Sequence, residues 1–296
     1  MNFKSIEITD KKAIDNCLQY KNSRACDYCF ANLFAWQHRY NTTFAIENNT
    51  LFAKFNENGT TFYMFPVGKM PLQKSLELLE EDARNNKIPL KIKAVSEEIW
   101  RKIQAETPDK FMYIAERENF EYLYLTEKLI NLSGKKLQSK RNHINRFKTD
   151  NPAWEFQLIQ TREDCYQCWN MLKTWEAENA DSSDPSLIYD FEASKLMLKH
   201  FEELELQGGM IKVNGKIVAF SLGEPLTNDT FVVHTEKAHR DMNGGYAIIN
   251  QQFAENIAAK YLYVNREEDM GLDSLRKAKL SYKPEILLQE GIVVGR

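Results

Sequence analysis

His234 lies in the β-rich run "TFVVHTEKA" and is the only histidine of the chain in strand-like text. An imidazole titrating near neutrality suits proton transfer, although a histidine in such a run also serves as a hydrogen-bonded sheet residue. Asp269 follows Glu267 and Glu268; a carboxylate there accepts a substrate ammonium or acts as a base, while three adjacent acids also read as a solvated turn. Arg266, Arg276 and Lys279 supply cations for phosphate or for developing negative charge, since guanidinium forks match phosphate oxygens. Arg276 and Lys279, three apart on one helix, share a face. Tyr282 just beyond them either relays a proton or covers core.

Two further stretches carry binding chemistry. In Arg240-Asp241-Met242-Asn243-Gly244-Gly245, placed between a strand and a helix, glycines let backbone N–H groups approach an anion at a helix N-terminus; the same text also makes a tight turn. The block "GKKLQSKRNHINRFK" (134–148) has six lysines and arginines and no acid. Written as a helix from Lys135, it puts Leu137, Ile144 and Phe147 near one stripe and shows positive charge elsewhere. Lys136, Lys140, Arg141 and Arg146 are therefore candidates to meet phosphates of tRNA or of an anionic lipid surface. A solvated connecting helix is the alternative, and Phe147 is the block's only aromatic for stacking on a base.

Four of the five cysteines form the pairs Cys26/Cys29 and Cys165/Cys168 in helix-like text. The two pairs lie far apart, so packed thiols are expected and no metal site. No Ser-His-Asp order, His-Glu-x-x-His or Walker loop occurs. The chain has 296 residues, 43% hydrophobic and 27% charged, with net charge −3, which excludes wholesale disorder and predicts more than one core. No apolar run is long enough to cross a bilayer and the N-terminus lacks a secretory pattern, so a cytoplasmic location with reduced thiols is expected.

The elements that must hold these residues are clearest from Thr161 onward. Helices "TREDCYQCWNMLKTWEAEN" and "YDFEASKLMLKHFEELELQ", the latter with Asp190 as expected N-cap, precede a hairpin turning at Asn214-Gly215 and the strand of His234. Then come a helix "YAIINQQFAENIAAK", a strand "YLYVNRE", a helix "LDSLRKAKLSY" and a last strand "EILLQEGIVV". This α-α-β-β-β-α-β-α-β order resembles the GNAT acyltransferase fold, in which two splayed strands form the reaction slot; here they are "TFVVHTEKA" and "YLYVNRE". The first half reads as a worn copy, with Asn-Asn and Asn-Gly turns, a strand pair in "MYIAERENFEYLYL", and "VGKMPLQ" in place of an anion loop. The expected fold class is α+β: two tandem GNAT-like modules, each a mixed sheet flanked by helices, at 1–130 and 151–296, joined by a basic helix at 131–150.

Three stretches carry a more specific likeness: "LSGKKLQSKRNHINRF", "FVVHTEKAHRDMNGGYAIIN" and "NREEDMGLDSLRKAKLSYKPEILL". Together they resemble the C-terminal catalytic domain of phosphatidylglycerol lysyltransferases (the DUF2156 type), with a Leu-Arg-x-x-Lys-x-x-aromatic-x-Pro element matched by Leu275, Arg276, Lys279, Tyr282 and Pro284. The resemblance implies transfer of an aminoacyl group from aminoacyl-tRNA to a lipid hydroxyl or an amine. Such transfer needs a nucleophile beside an activated carbonyl, a proton relay and oxyanion donors, which assigns His234, Asp269, Lys279 and Tyr282 to catalysis. Arg266 and Arg276 join the basic helix as phosphate ligands. The alternatives are acetyl-CoA-dependent N-acylation through Arg240, Asn243, Gly244 and Gly245, where Asn243 replaces a family glycine, and a binding protein that keeps the fold without the reaction. No membrane-spanning flippase segment is read in this sequence, and the charged "NREEDMG" replaces the family's apolar, glycine-rich segment.

Overall fold

The computed structural model describes residues 1–179 and 186–296. The first half contains β1 (Lys4–Ser5), α1 (Lys11–Leu18), α2 (Phe30–Tyr40), β2 (Thr43–Glu47), β3 (Thr50–Glu57), β4 (Thr60–Met64), β5 (Val67–Gly68), α3 (Leu72–Asn85), β6 (Lys91–Ser96), α4 (Glu97–Glu106), β7 (Phe111–Ala115) and β8 (Glu121–Leu125). The second contains α5 (Thr126–Asn131), α6 (Gln138–Asp150), β9 (Trp154–Ile159), α7 (Arg162–Glu178), α8 (Ser186–Lys199), β10 (Gln207–Val213), β11 (Lys216–Pro225), β12 (Thr230–Ala238), α9 (Gly245–Phe253), β13 (Tyr263–Asn265), α10 (Asp273–Ser281), β14 (Ile286–Leu288) and β15 (Glu290–Gly295). This is an α+β fold of two sheet-and-helix modules, the tandem GNAT-like architecture. No helix among the described residues is long and apolar enough to cross a membrane.

Three hairpins form where the turn chemistry demands them. Asn48-Asn49, Asn58-Gly59 and Asn214-Gly215 all take positive φ at both central residues, the mirror-image turn whose twist matches the strands it joins. Other expectations fail for reasons that are not local. The "MYIAERENFEYLYL" stretch does not fold back as a pair: β7 joins β15 in the first sheet and β8 joins β13 in the second. "EILLQEGIVV" is likewise two strands, with β14 beside β8 and β15 between β6 and β7. Asp190 does not cap α8. The helix already runs from Ser186, and the Asp190 carboxylate instead pairs with the buried Lys237 ammonium. Cys26 and Cys29 bracket a 3-10 turn ahead of α2 rather than a helix.

The chain forms two compact units. One comprises Met1–Glu121, Glu268–Asp273 and Leu287–Arg296, the other Tyr122–Glu267 and Ser274–Ile286. In the second unit the strand order is β14-β8-β13-β12-β11-β10-β9, with β12 and β13 parallel. Side chains alternate across β12: Thr235 meets Ser194 of α8 on one face, and Glu236 meets Asn250 of α9 on the other. The basic segment opens with a 3-10 turn, Lys135–Leu137, and continues as α6. Leu137, Ile144 and Phe147 are buried in the second unit's core with Ile248 and Phe253, as the stripe in the sequence requires.

Candidate functional site

The parallel pairing of β12 with β13 covers only Thr230 to Val232 against Tyr263 to Asn265. Beyond it the chain at Arg266 and Glu267 stays bonded to Tyr122 of β8, while β12 runs on to Ala238 paired with β11. The two strands therefore part at the level of His234 and Glu236, and side chains bridge the gap. Arg266 donates to Glu236 Oε1 at 2.8 Å, and Asn250 donates to Glu236 Oε2 at 3.1 Å. His234 is held between two carboxylates, with Nδ1 2.8 Å from Glu267 Oε1 and Nε2 3.1 Å from Glu224 Oε1. Its side chain is 1% exposed. Each ring nitrogen of His234 therefore has a carboxylate oxygen as its partner, and the two contacts fix the orientation of the imidazole.

A second group converges on Tyr282. The Arg266 guanidinium lies 5.0 Å from the Tyr282 ring centroid and 5.8 Å from that of Tyr124, and the two rings meet edge to face. The Lys140 ammonium, from the basic helix α6, sits 4.2 Å from the same Tyr282 centroid. Half-buried, Lys140 makes no ion pair among the described residues, and burial, reinforced by Arg266, holds its pKa below the usual lysine range. Burial also pushes the Tyr282 phenol up to about 12, so it remains a hydrogen-bond donor at neutral pH. Lys279 donates to the Arg266 carbonyl at 2.6 Å, and Tyr124 donates to the Lys279 carbonyl at 2.7 Å. Lys279 thus fixes the backbone that carries Arg266. Two cations and one carboxylate around one ring leave an excess of positive charge, which suits a phosphate or carboxylate.

The other residues singled out in the sequence have different surroundings. Arg141 is spent on its own turn, donating to the Leu132 and Gly134 carbonyls and to Gln138. Arg146 pairs with Asp150 one helical turn on, and Lys136 is exposed. Arg276 is half-buried on α10. Arg240 is anchored to the Glu178 carbonyl at 2.9 Å. In its loop, the amides of Met242, Asn243 and Gly245 bond back to the carbonyls of His239, Asp241 and Met242. Gly244 has φ +86°, and a Cβ there would stand 2.5 Å from the His143 carbonyl oxygen of α6. Gly244 thus lets the basic helix pack against the start of α9. Glu236, Asn250, Tyr124 and Glu224 were not singled out by the sequence reading. Glu236 was accessible by strand alternation, two residues from His234 on the same face.

Asp269 belongs to the first unit, where it is fully buried. It pairs with Arg117 at 3.0 Å and accepts the Gly271 amide at 3.0 Å, closing a turn. Nearby, the buried Glu290 carboxyl is raised well above the carboxylate range by burial and then by the charges of Glu121, Asp27 and Glu268. The folded unit therefore keeps a proton that the unfolded chain releases, and stability falls as pH rises from the ordinary glutamate range through the raised value. Glu290→Gln removes that dependence. It is expected to raise the melting temperature at pH 8 and to give progressively less gain toward pH 5, read by thermal denaturation across that range.

A solved structure of a conserved protein of unknown function from Bacteroides thetaiotaomicron is 37% identical to this chain, with full coverage of both chains and a TM-score of 0.92. The structure of L-PGS from Bacillus licheniformis is 15% identical with a TM-score of 0.67, over 96% of this chain and 91% of that one, a likeness of fold. An uncharacterized protein of Mycoplasmoides gallisepticum is 30% identical over 179 residues; the match spans 58% of this chain and about half, 55%, of that relative. The family described as phosphatidylglycerol lysyltransferase, C-terminal, matches residues 19–290, and the chain belongs to it.

Proposed function

We propose that the chain is an aminoacyl or acyl transferase working in the second unit, with aminoacyl-tRNA as donor and a lipid hydroxyl or an amine as acceptor. The observation that carries this reading is the meeting of Lys140, from the basic helix, with Arg266 on the face of Tyr282 beside the strand gap. A helix lined with lysine and arginine attracts a phosphate backbone, and the Lys140 and Arg266 pair provides a fixed point for one of its phosphates. In the reaction, the acceptor O–H or N–H adds to the ester carbonyl carbon of the donor. The ester C–O bond to the terminal ribose breaks, and the ribose oxygen leaves as a hydroxyl carrying a proton. The acceptor's own proton passes through the Glu224, His234 and Glu267 chain, in which the imidazole holds both carboxylates in place.

The test is binding and transfer with labelled aminoacyl-tRNA, phosphatidylglycerol vesicles and a primary amine, run beside acetyl-CoA at two salt concentrations. Binding of tRNA that weakens steeply with salt, together with label appearing in lipid or amine, is the expected result. Salt-insensitive binding of acetyl-CoA alone would transfer the reading to N-acetylation, and no binding at all to a protein without the reaction. Lys140→Met is expected to weaken tRNA binding about tenfold or more while leaving the melting temperature within a degree or two, because it removes a charged contact and no core atoms. In the parent protein the affinity should decline as pH rises through the depressed pKa of Lys140, earlier than an ordinary lysine would dictate. Filter binding across pH, for parent and variant, reads both effects.

A further inference from the structure

Cys26 and Asp27 open the 3-10 turn ahead of α2, and Glu121 stands at the head of β8. One donor atom of each, the Cys26 sulfur and an oxygen of either carboxylate, lies within 4.8 Å of the other two. The transfer chemistry uses none of them. Glu290, which opens β15, adjoins this group: its carboxyl is hydrogen-bonded to Asp27, and the residue is 3% exposed. Its Oε1 is buried without a hydrogen-bond partner, a cost that folds seldom leave unanswered. Glu268 arrives from another segment, with Oε2 3.9 Å from the Cys26 sulfur. All five residues belong to the first unit.

We infer that this cluster binds a zinc-type divalent cation, with Cys26, Asp27, Glu121 and Glu290 as its ligands. A thiolate among carboxylates is a donor set that suits zinc, whereas magnesium and calcium take oxygen and have no use for sulfur. A substrate ammonium would gain from the carboxylates and nothing from the thiol. Ligand atoms around one tetrahedral zinc stand roughly 3–4 Å apart, which small side-chain rotations reach from the spacing here. Part of the frame is already set: the Cys26 amide donates to both Glu121 oxygens, at 2.9 and 3.1 Å, and so ties the turn to β8. Cys29 has a different task, its thiol donating to the Cys26 carbonyl at 3.1 Å and bracing the same turn. Asp27 is half-buried while the other three ligands are buried, so its side gives the ion a way in. The thiol and any protonated carboxyl release their protons to solvent as the ion enters. Once bound, the ion clasps three segments far apart in sequence and stabilises the first unit. Cysteine spacing could not announce such a site, because one thiol takes part and its partners come from residues 121 and 290.

The probes are Co2+ and Zn2+ added to the whole chain after treatment with a chelator. Co2+ is expected to give the near-ultraviolet absorption of a cobalt–thiolate bond, saturating at one ion per chain. Zn2+ should displace it, and a large excess of Mg2+ or Ca2+ should not. Cys26→Ser should remove the band, while Cys29→Ser and Cys165→Ser keep it. Glu290→Gln, of nearly unchanged shape, should keep the band but weaken Zn2+ binding about tenfold or more, and it reads the same site if Cys26→Ser fails to fold. Thermal denaturation is an independent readout: Zn2+ should raise the melting temperature of the parent and much less that of Glu290→Gln. With chelator present, Glu290→Gln keeps the pH-dependent gain expected of it above. Absence of a thiolate band in the parent would overturn the site. So would a band that survives Cys26→Ser or is lost in Cys29→Ser or Cys165→Ser, or displacement by Mg2+ as readily as by Zn2+. No tRNA or acetyl-CoA enters these measurements, so their failure is separate from any failure of the transfer reading.

Discussion

Glu236→Ala should lower the unfolding free energy of the second unit by about 3–5 kcal/mol, the cost of leaving one member of a buried ion pair without its partner. The Glu236 and Arg266 side chains are 12% and 14% exposed, and the guanidinium is stacked against two tyrosines that cannot replace the lost charge. The buried Asn250 amide also loses its acceptor. Denaturant unfolding followed by a probe in the second unit measures the loss. The double variant Glu236→Met with Arg266→Met discriminates between reasons for the pair, because apolar side chains of similar length often restore the stability of a buried ion pair. Recovered stability with lost anion binding would mean that the charges serve the ligand. A double variant as unstable as the single one would mean that they serve packing, and would remove Arg266 from the site.

The sequence exposed what is set by neighbours along the chain and hid what is set by distant partners. Asn214-Gly215 and the two Asn turns of the first half announced hairpins because their positive φ values are a property of those residues. Leu137, Ile144 and Phe147 announced the buried stripe of α6 because helical periodicity is local. The placement of β8 and β15 in opposite sheets could not be read this way, since a strand's text fixes its alternation and not its neighbour. The same limit governs the site. His234 and Arg266 stood out by type, but the groups that define their chemistry are Glu224 and Glu236, which read as ordinary strand-surface acids until the sheet brings them within hydrogen-bond reach. Asp269 shows the converse: an acid that looked catalytic beside two others is held by Arg117 and its own turn.

Gly244→Ala is expected to cost about 2–4 kcal/mol and to weaken anion binding, although residue 244 contacts no proposed ligand. Two penalties combine. Left-handed backbone at φ +86° costs a non-glycine residue roughly 1 kcal/mol or more. The new methyl would also stand 2.5 Å from the His143 carbonyl oxygen and 3.2 Å from Phe147 Cβ, which are parts of α6 that cannot rotate out of the way. Gly215→Ala separates the two penalties: its φ is +76°, but nothing lies within 4 Å of the added carbon, so only the backbone cost of about 1 kcal/mol remains. The excess at Gly244 is then the energy of displacing the basic helix. Because Lys140 reaches Tyr282 from that helix, a shift should reduce anion affinity in Gly244→Ala and leave it intact in Gly215→Ala. Equal stability losses in the two variants, or unchanged binding in the first, would show that α6 does not set the position of Lys140. The glycine pair would then return to the role its sequence first suggested, a loop that approaches a ligand.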